Sequence, residues 1–239
     1  MKTKSNPWPK FNPAEYVRKN YEKMSIPDVV LATHLIEWNS VHGRSGQILE
    51  IGGAVNLYPI FIMLPFFEKI IVTDIVDENL WYLRSQQREM DTLWRQYIGL
   101  IRTLNDKFYN FDFQTALRER VTVRSLSIFD IEKERYSHIS MNFVAESITD
   151  DPDEFVRACN CVMAGLKKGG YLTASFMSGS RGYVVNGVDF PAVAIDPTGV
   201  ADTFRAMDDL RVRYIPIFGK PLRNGYNGII HLTAKKNGK

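Results

Sequence analysis

The chain has only two cysteines in 239 residues and no apolar run long enough to cross a bilayer. Cys159 and Cys161 stand two apart in a stretch that reads as helix, so they point to different faces and cannot bridge one another. Cys159 reads as a small core residue rather than a nucleophile. The most apolar run, PIFIMLPFF (59–67), is broken by Pro65, whereas a membrane span needs roughly 20 apolar residues. The four histidines, His34, His42, His138 and His231, lack H-x-x-x-H spacing, and no C-x-x-C accompanies them, so no metal is expected. The opening MKTKSNPWPK is basic, but neither an apolar segment nor a small-residue cleavage site follows; a signal peptide is not read, and a cytoplasmic location is expected. An excess of one charge is missing too: 30 Lys and Arg stand against 27 Asp and Glu. The lysines gather at the ends (Lys2, Lys4, Lys10; Lys235, Lys236, Lys239), which reads as solvated tails and leaves no nucleic-acid footprint. The expected partner is therefore a small molecule, with no nucleic acid and no membrane, and the chain is expected to be a monomer or a weak homodimer.

With 45% hydrophobic and 24% charged residues, the chain can bury one core. The runs QILEIGG (47–53), KIIVTDI (69–75), VTVRSLSI (121–128), HISMNFVAE (138–146) and YLTASFMS (171–178) read as strands separated by helix-length sequence. That alternation predicts an α/β fold with a parallel sheet covered on both faces. A helix is expected from DDPDEFVRACNCVMAGLKKGG: Asp151 caps it, Pro152 fits its first turn, Asp153 and Glu154 suit its positive end, and Gly169–Gly170 turn the chain into the next strand. RVRYIPIFG (211–219) and GIIHLTAKK (228–236) read as a closing antiparallel pair around KPLRNGYN. Residues 12–40 read as amphipathic helix with a break at Ile26–Pro27. In the segment 80–113, Trp81, Trp94 and Phe108 are expected in the core. No internal repeat or linker is present, so 1–239 is read as one domain, with 1–45 as a helical cover and 46–239 as the α/β core.

One more absence is informative. LEIGGAVNLYP (49–59) ends a strand with an acidic residue and two glycines, but the second and third glycines of G-x-G-x-x-G are replaced by Ala54, Val55 and Asn56. A dinucleotide pyrophosphate needs those glycines for close backbone approach and helix packing. S-adenosylmethionine carries no phosphate and asks only for a tight turn. Asp74 follows about 20 residues after that turn, where a carboxylate accepts ribose hydroxyls. The alternative is that Gly52–Gly53 merely turn the chain and Asp74 caps the helix starting at DENL.

These segments, together with FNPAEYVRKNY (11–21), IIVTDIVDENL (70–80), FVAESITDDPDEF (143–155) and LKKGGYLTASF (166–176), resemble the small-molecule amine N-methyltransferases that include the nicotinamide, phenylethanolamine and indolethylamine (thioether) enzymes. The resemblance covers most of the chain. It implies a class I methyltransferase: a doubly wound, Rossmann-like, mostly parallel seven-stranded sheet with an N-terminal helical lid, using S-adenosyl-L-methionine and releasing S-adenosyl-L-homocysteine. By resemblance, Tyr16 lies near the transferring methyl and the acceptor, while Tyr21 and Tyr58 bond the methionine carboxylate. Gly52 and Gly53 meet the methionine part, Asp74 and Asn79 hold the ribose, and Ser127, Ile128 and Phe143 complete the cofactor set. Ser127 stands where relatives carry an Asp, and Ala54 and Asn56 depart from the family loop, so cofactor affinity is the property these changes touch. Tyr183 and Ser180, in GSRGYVVNG, line the acceptor side, and Asn224 or Tyr226 in NGYNG are candidates to close it.

Glu146, at the end of the fourth predicted strand, would attract an ammonium, orient the nitrogen lone pair and take a proton. Its alternative is a cap or dipole partner for the helix near Asp151. The expected reaction is direct displacement onto a nitrogen of a small amine or N-heterocycle, in which the protein supplies orientation and water exclusion. O- or S-methylation of a small metabolite and a catalytically silent binding module stay open. A nicotinamide-dependent oxidoreductase would need the absent glycines and a Tyr-x-x-x-Lys pair, and neither is found.

Overall fold

The computed structural model describes residues 6–43 and 46–238. Lys2, Lys4 and Lys239, among the expected tail lysines, lie outside the described residues. Two helices come first, α1 (Pro13–Tyr21) and α2 (Ile26–His42). Asn12 caps α1 by accepting the Glu15 N–H, and Ser25 and Asp28 form a reciprocal capping box on α2. Pro27 therefore opens the second helix, where its missing N–H costs nothing; the expected break falls just before it, between the helices.

The core follows as β1 (Gln47–Ile51), α3 (Tyr58–Met63), β2 (Lys69–Asp74), α4 (Asp77–Arg88), α5 (Thr92–Leu104), α6 (Phe113–Arg120), β3 (Val121–Ser125) and β4 (Tyr136–Asn142). Then come α7 (Pro152–Gly165), β5 (Leu166–Ser178), the short β6 (Tyr183–Val185) and β7 (Val188–Phe190), α8 (Pro197–Thr203), β8 (Asp208–Pro216) and β9 (Gly228–Lys235). Seven strands form one sheet in the order β3-β2-β1-β4-β5-β9-β8. The first five run parallel; β9 is antiparallel to β5, and β8 is antiparallel to β9. The doubly wound, mostly parallel architecture is thus the observed one. Strand alternation sends Ile48, Ile70 and Val72 into a core shared with α2 to α6, and Leu49, Ile51, Ile71 and Leu172 into a second core shared with α7 and α8.

Several local expectations need correction. β4 stops at Asn142, so Glu146 lies in a turn four residues past the strand and not at its end. Gly169–Gly170 fall inside β5, which starts directly after α7 at Leu166. Trp81 is 64% exposed, whereas Trp94 is fully buried and donates from Nε1 to Tyr82 Oη at 2.8 Å. Phe108 is half-buried against Phe66. Lys236 is no solvated tail: its Nζ donates to Ala164 O and to Leu166 O, the end of α7. No described helix is long and apolar enough to cross a membrane.

Candidate active site

The strand order reverses between β1 and β4, and ligands of open α/β sheets bind beyond the carboxyl ends of the strands at such a point. A cavity of about 260 Å³ lies there, walled by the ends of β1, β2 and β4, the segment after β3, and α1. Its described lining contains two carboxylates, Asp74 and Glu154, and no Lys, Arg or His. A wall of that kind does not fit a pyrophosphate, which needs cations or a glycine cradle; it fits a cationic nucleoside.

Gly52 lines this cavity with φ +63°, and a Cβ there would stand 2.6 Å from Val144 Cγ2. Any larger residue would strain the backbone and push into the wall. Gly53 is buried off the cavity, where a Cβ would meet Glu50 Cγ at 2.5 Å, so this glycine makes room for Glu50 and not for a ligand. Glu50 is wholly buried and accepts from Asn142 Nδ2 at 3.3 Å. Burial pushes its carboxyl up to about 7. Asn142 lines the cavity with an unpartnered Oδ1, as does Asn56 with both amide atoms unpartnered. Orphaned polar atoms on a cavity wall are the groups a polar ligand satisfies.

Asp74 is buried at the end of β2, and burial raises its carboxyl to about 6. One oxygen accepts the Val76 N–H at 3.0 Å and the other accepts Asn79 Nδ2 at 3.2 Å. Asp74 thus ties down the turn into α4 and also lines the cavity. Ser127, Ile128 and Phe143 line the same cavity. Ser127 Oγ accepts the Phe129 N–H at 3.2 Å, which leaves its hydroxyl free to rotate toward a ligand. Phe143 holds φ +62°, a strained position pinned by its N–H bond to Ser175 O at 2.7 Å.

From the N-terminal helices, Tyr16 and Tyr21 both reach the cavity, although they stand five apart on α1; their ring centroids are 6.1 Å apart. Tyr58 does not reach the described wall. It is fully buried behind Tyr21, with centroids 6.3 Å apart and an unpartnered hydroxyl.

Acceptor-side candidates form a second group. The expected glycine-rich loop is a small hairpin, β6 and β7 joined by Asn186–Gly187, a turn pair that GYVVNGVDF announces. Tyr183 on β6 lines the cavity. Ser180 is wholly buried with an unpartnered Oγ and is not part of the described wall. Glu146 is also wholly buried behind the wall. Its Oε1 accepts the Met177 N–H at 2.9 Å and its Oε2 has no partner. Burial pushes this carboxyl up to about 7, opposed by the Met177 bond and the charge of Arg223. It does not cap α7; Asp151 does, accepting the Asp153 N–H at 2.9 Å.

Sequence reasoning missed Arg223, in the loop between β8 and β9. It is 7% exposed, donates from Nη2 to Tyr16 Oη at 3.0 Å, and lies 4.2 Å from the centroid of the Tyr183 ring. Nothing in its loop sequence marks it. Only the fold brings this loop against 178–182, where Gly179 and Gly225 abut so closely that a Cβ on Gly225 would collide with Gly179 O. Asn224 O accepts the Arg181 N–H at 3.1 Å, and Tyr226 is buried beside Met177 and Ile229 in a neighbouring cleft.

Comparison with known proteins agrees with this geometry. An N-methyltransferase, NodS of Bradyrhizobium japonicum WM9, solved with S-adenosyl-L-homocysteine, matches at 13% identity with a TM-score of 0.56, covering 94% of this chain and 99% of that one. DhpI, also solved with S-adenosyl-L-homocysteine, matches at 10% identity with a TM-score of 0.60, covering 99% of this chain and 100% of that one. Both likenesses concern the fold. Alpha N-terminal protein methyltransferase 1 of Caenorhabditis elegans is 25% identical over 154 residues, 63% of this chain; the match spans about half of that protein, 54%. A family model described as the NNMT/PNMT/TEMT family matches residues 2–237. The cofactor is S-adenosylmethionine, and the chain belongs to the NNMT/PNMT/TEMT family of methyltransferases.

Proposed function

We propose that the chain transfers a methyl group to a nitrogen of a small-molecule amine or N-heterocycle. The observation that carries this reading is Glu146: a wholly buried carboxylate with Oε1 fixed by the Met177 N–H and by the hydroxyl of Ser147, a residue of the cavity wall, and with Oε2 unpartnered. A buried acid of that kind is suited to an ammonium partner. The small cavity, with Tyr16 and Tyr183 in its wall, supports a small acceptor, and a fold neighbour named as an N-methyltransferase supports nitrogen.

When bound, S-adenosylmethionine supplies a methyl carbon on a positively charged sulfur, and the bond from acceptor nitrogen to carbon forms as the carbon–sulfur bond breaks. The chain's own part is to hold and to exclude. Asp74 and Asn79 would hold the ribose, and Gly52, Asn56 and Asn142 the methionine end; all five line the cavity. Tyr16, Tyr21 and Tyr183 shield the reacting atoms from water, which sharpens every charge interaction inside. Glu146 in its carboxylate form takes the proton that the nitrogen must release. With its carboxyl near 7, that form gains population as pH rises through neutrality. The rate on an amine is therefore expected to climb between about pH 6 and 8 in the parent.

A labelled-methyl transfer screen over small amines, phenols and thiols, with Glu146→Gln in parallel, tests the proposal. The expected result is turnover on amines, lost roughly 100-fold or more in Glu146→Gln together with its pH dependence. An equally active Glu146→Gln would overturn the role of this residue, and exclusive turnover on phenols or thiols would overturn nitrogen as the acceptor atom.

A further inference from the structure

Arg223 and Glu146 are both buried, carry opposite charge, and act on each other electrostatically. They do not touch: among the described residues the ion pairs within 4.0 Å are Arg135–Glu132, Arg157–Glu154 and Lys236–Glu134. Each keeps one unpartnered atom, Nη1 on Arg223 and Oε2 on Glu146. Burying a charge without a bonded partner is unfavourable, and two opposite charges serving only each other would close to contact. A ligand carrying both charges, set opposite to theirs, satisfies the two at once.

The surroundings favour the same ligand. Arg223 lines a cleft whose described walls hold three cations, Lys19, Arg181 and Arg223, against one acid, Asp189. Tyr183 belongs to the walls of both this cleft and the methyl-transfer cavity. The guanidinium is held by Tyr16 at Nη2 and by the face of Tyr183, which leaves Nη1 as the donor that a carboxylate would take up.

We propose that the acceptor bears a carboxylate, bound by Arg223 from the cleft side of Tyr183, and that the substrates are amino acids or amino-substituted aromatic acids. The proposal rests on the amine reading of Glu146 for the nitrogen, and on Arg223 alone for the carboxylate. Arg223 is here a specificity-determining residue.

The test is a panel of matched pairs, each an acid and the same molecule without its carboxylate: phenylalanine and phenethylamine, anthranilate and aniline, salicylate and phenol, thiosalicylate and thiophenol. The quantity read is the ratio of kcat/KM within a pair, which does not depend on the folded fraction of a preparation. The parent is expected to favour the acid by about tenfold or more, as for a charge-assisted contact. In Arg223→Gln the ratio falls toward one through KM, and Arg223→Lys retains part of it. A ratio near one in the parent, or one unchanged in Arg223→Gln, overturns the carboxylate site while amine turnover leaves the nitrogen reading in place. Turnover confined to the salicylate or thiosalicylate rows, with an Arg223-dependent ratio, overturns the nitrogen reading and supports the carboxylate site. No turnover in any row overturns both.

Discussion

Asp74 shows how one side chain serves the backbone and offers itself to a ligand at the same time. Its bonds to Val76 and Asn79 fix its rotamer, so a ribose would meet a preset acceptor and no conformational freedom would be lost at binding. Asp74→Asn is expected to weaken S-adenosylhomocysteine binding about 10- to 100-fold by calorimetry, the scale of a hydrogen bond to a charged group; an affinity within twofold of the parent would remove Asp74 from the site. Glu50 gives a different kind of prediction. Its carboxyl is raised by burial to about 7 in the folded chain from 4.5, so the folded state keeps a proton that the unfolded state has released. The stability this contributes is full below about pH 4.5 and is lost as pH rises through 7. Glu146 and Asp74 add to the same trend. The histidines held below 6.5 by burial act in the opposite sense, so the measurement is differential: from pH 5 to pH 8 the melting temperature of Glu50→Gln should gain on that of the parent, because the neutral amide has no charge to desolvate; superimposable profiles would contradict this.

The elements closing the site come from distant parts of the chain, and they are tied together by few bonds. Glu15 on α1 accepts the Asn186 N–H at 2.8 Å, and Lys19 donates to Val184 O at 3.0 Å, so α1 is clasped to the β6–β7 hairpin. Trp8 and Phe11 add ring contacts to Phe190. Glu15→Ala should speed hydrogen exchange of the hairpin amides about fivefold, the equivalent of roughly 1 kcal/mol, and raise acceptor KM; unchanged exchange would show that the clasp does not hold the hairpin. The parallel strands were legible because strands buried on both faces read as plain apolar runs such as KIIVTD. The α7 cap was legible because DDPDEF carries its chemistry within one turn. Glu146 was visible by residue type, but its turn was misplaced because SMNFVAE continues the apolar pattern past the true strand end. Arg223 was invisible, since a loop arginine gains meaning only through the tertiary contacts that bury it.

At the scale of the whole molecule, the uncharged-to-acidic cavity wall predicts which ligands stabilise the fold. S-adenosylhomocysteine at about 100 times its Kd should add roughly 2.7 kcal/mol and raise the melting temperature by about 5–11 °C. NAD at the same concentration should leave it unmoved, because no described cation lines the cavity to receive a pyrophosphate. A shift with NAD equal to that with S-adenosylhomocysteine would overturn the reading of the wall.

The outer strands of the sheet carry a further consequence. β3 ends in exposed Arg124, and β8 presents exposed Arg211 and Arg213 before closing on Pro216. An incoming strand would have to bury those guanidinium groups or pair with an imino acid that lacks a donor. These charges and the terminal proline disfavour growth of the sheet from molecule to molecule at either margin.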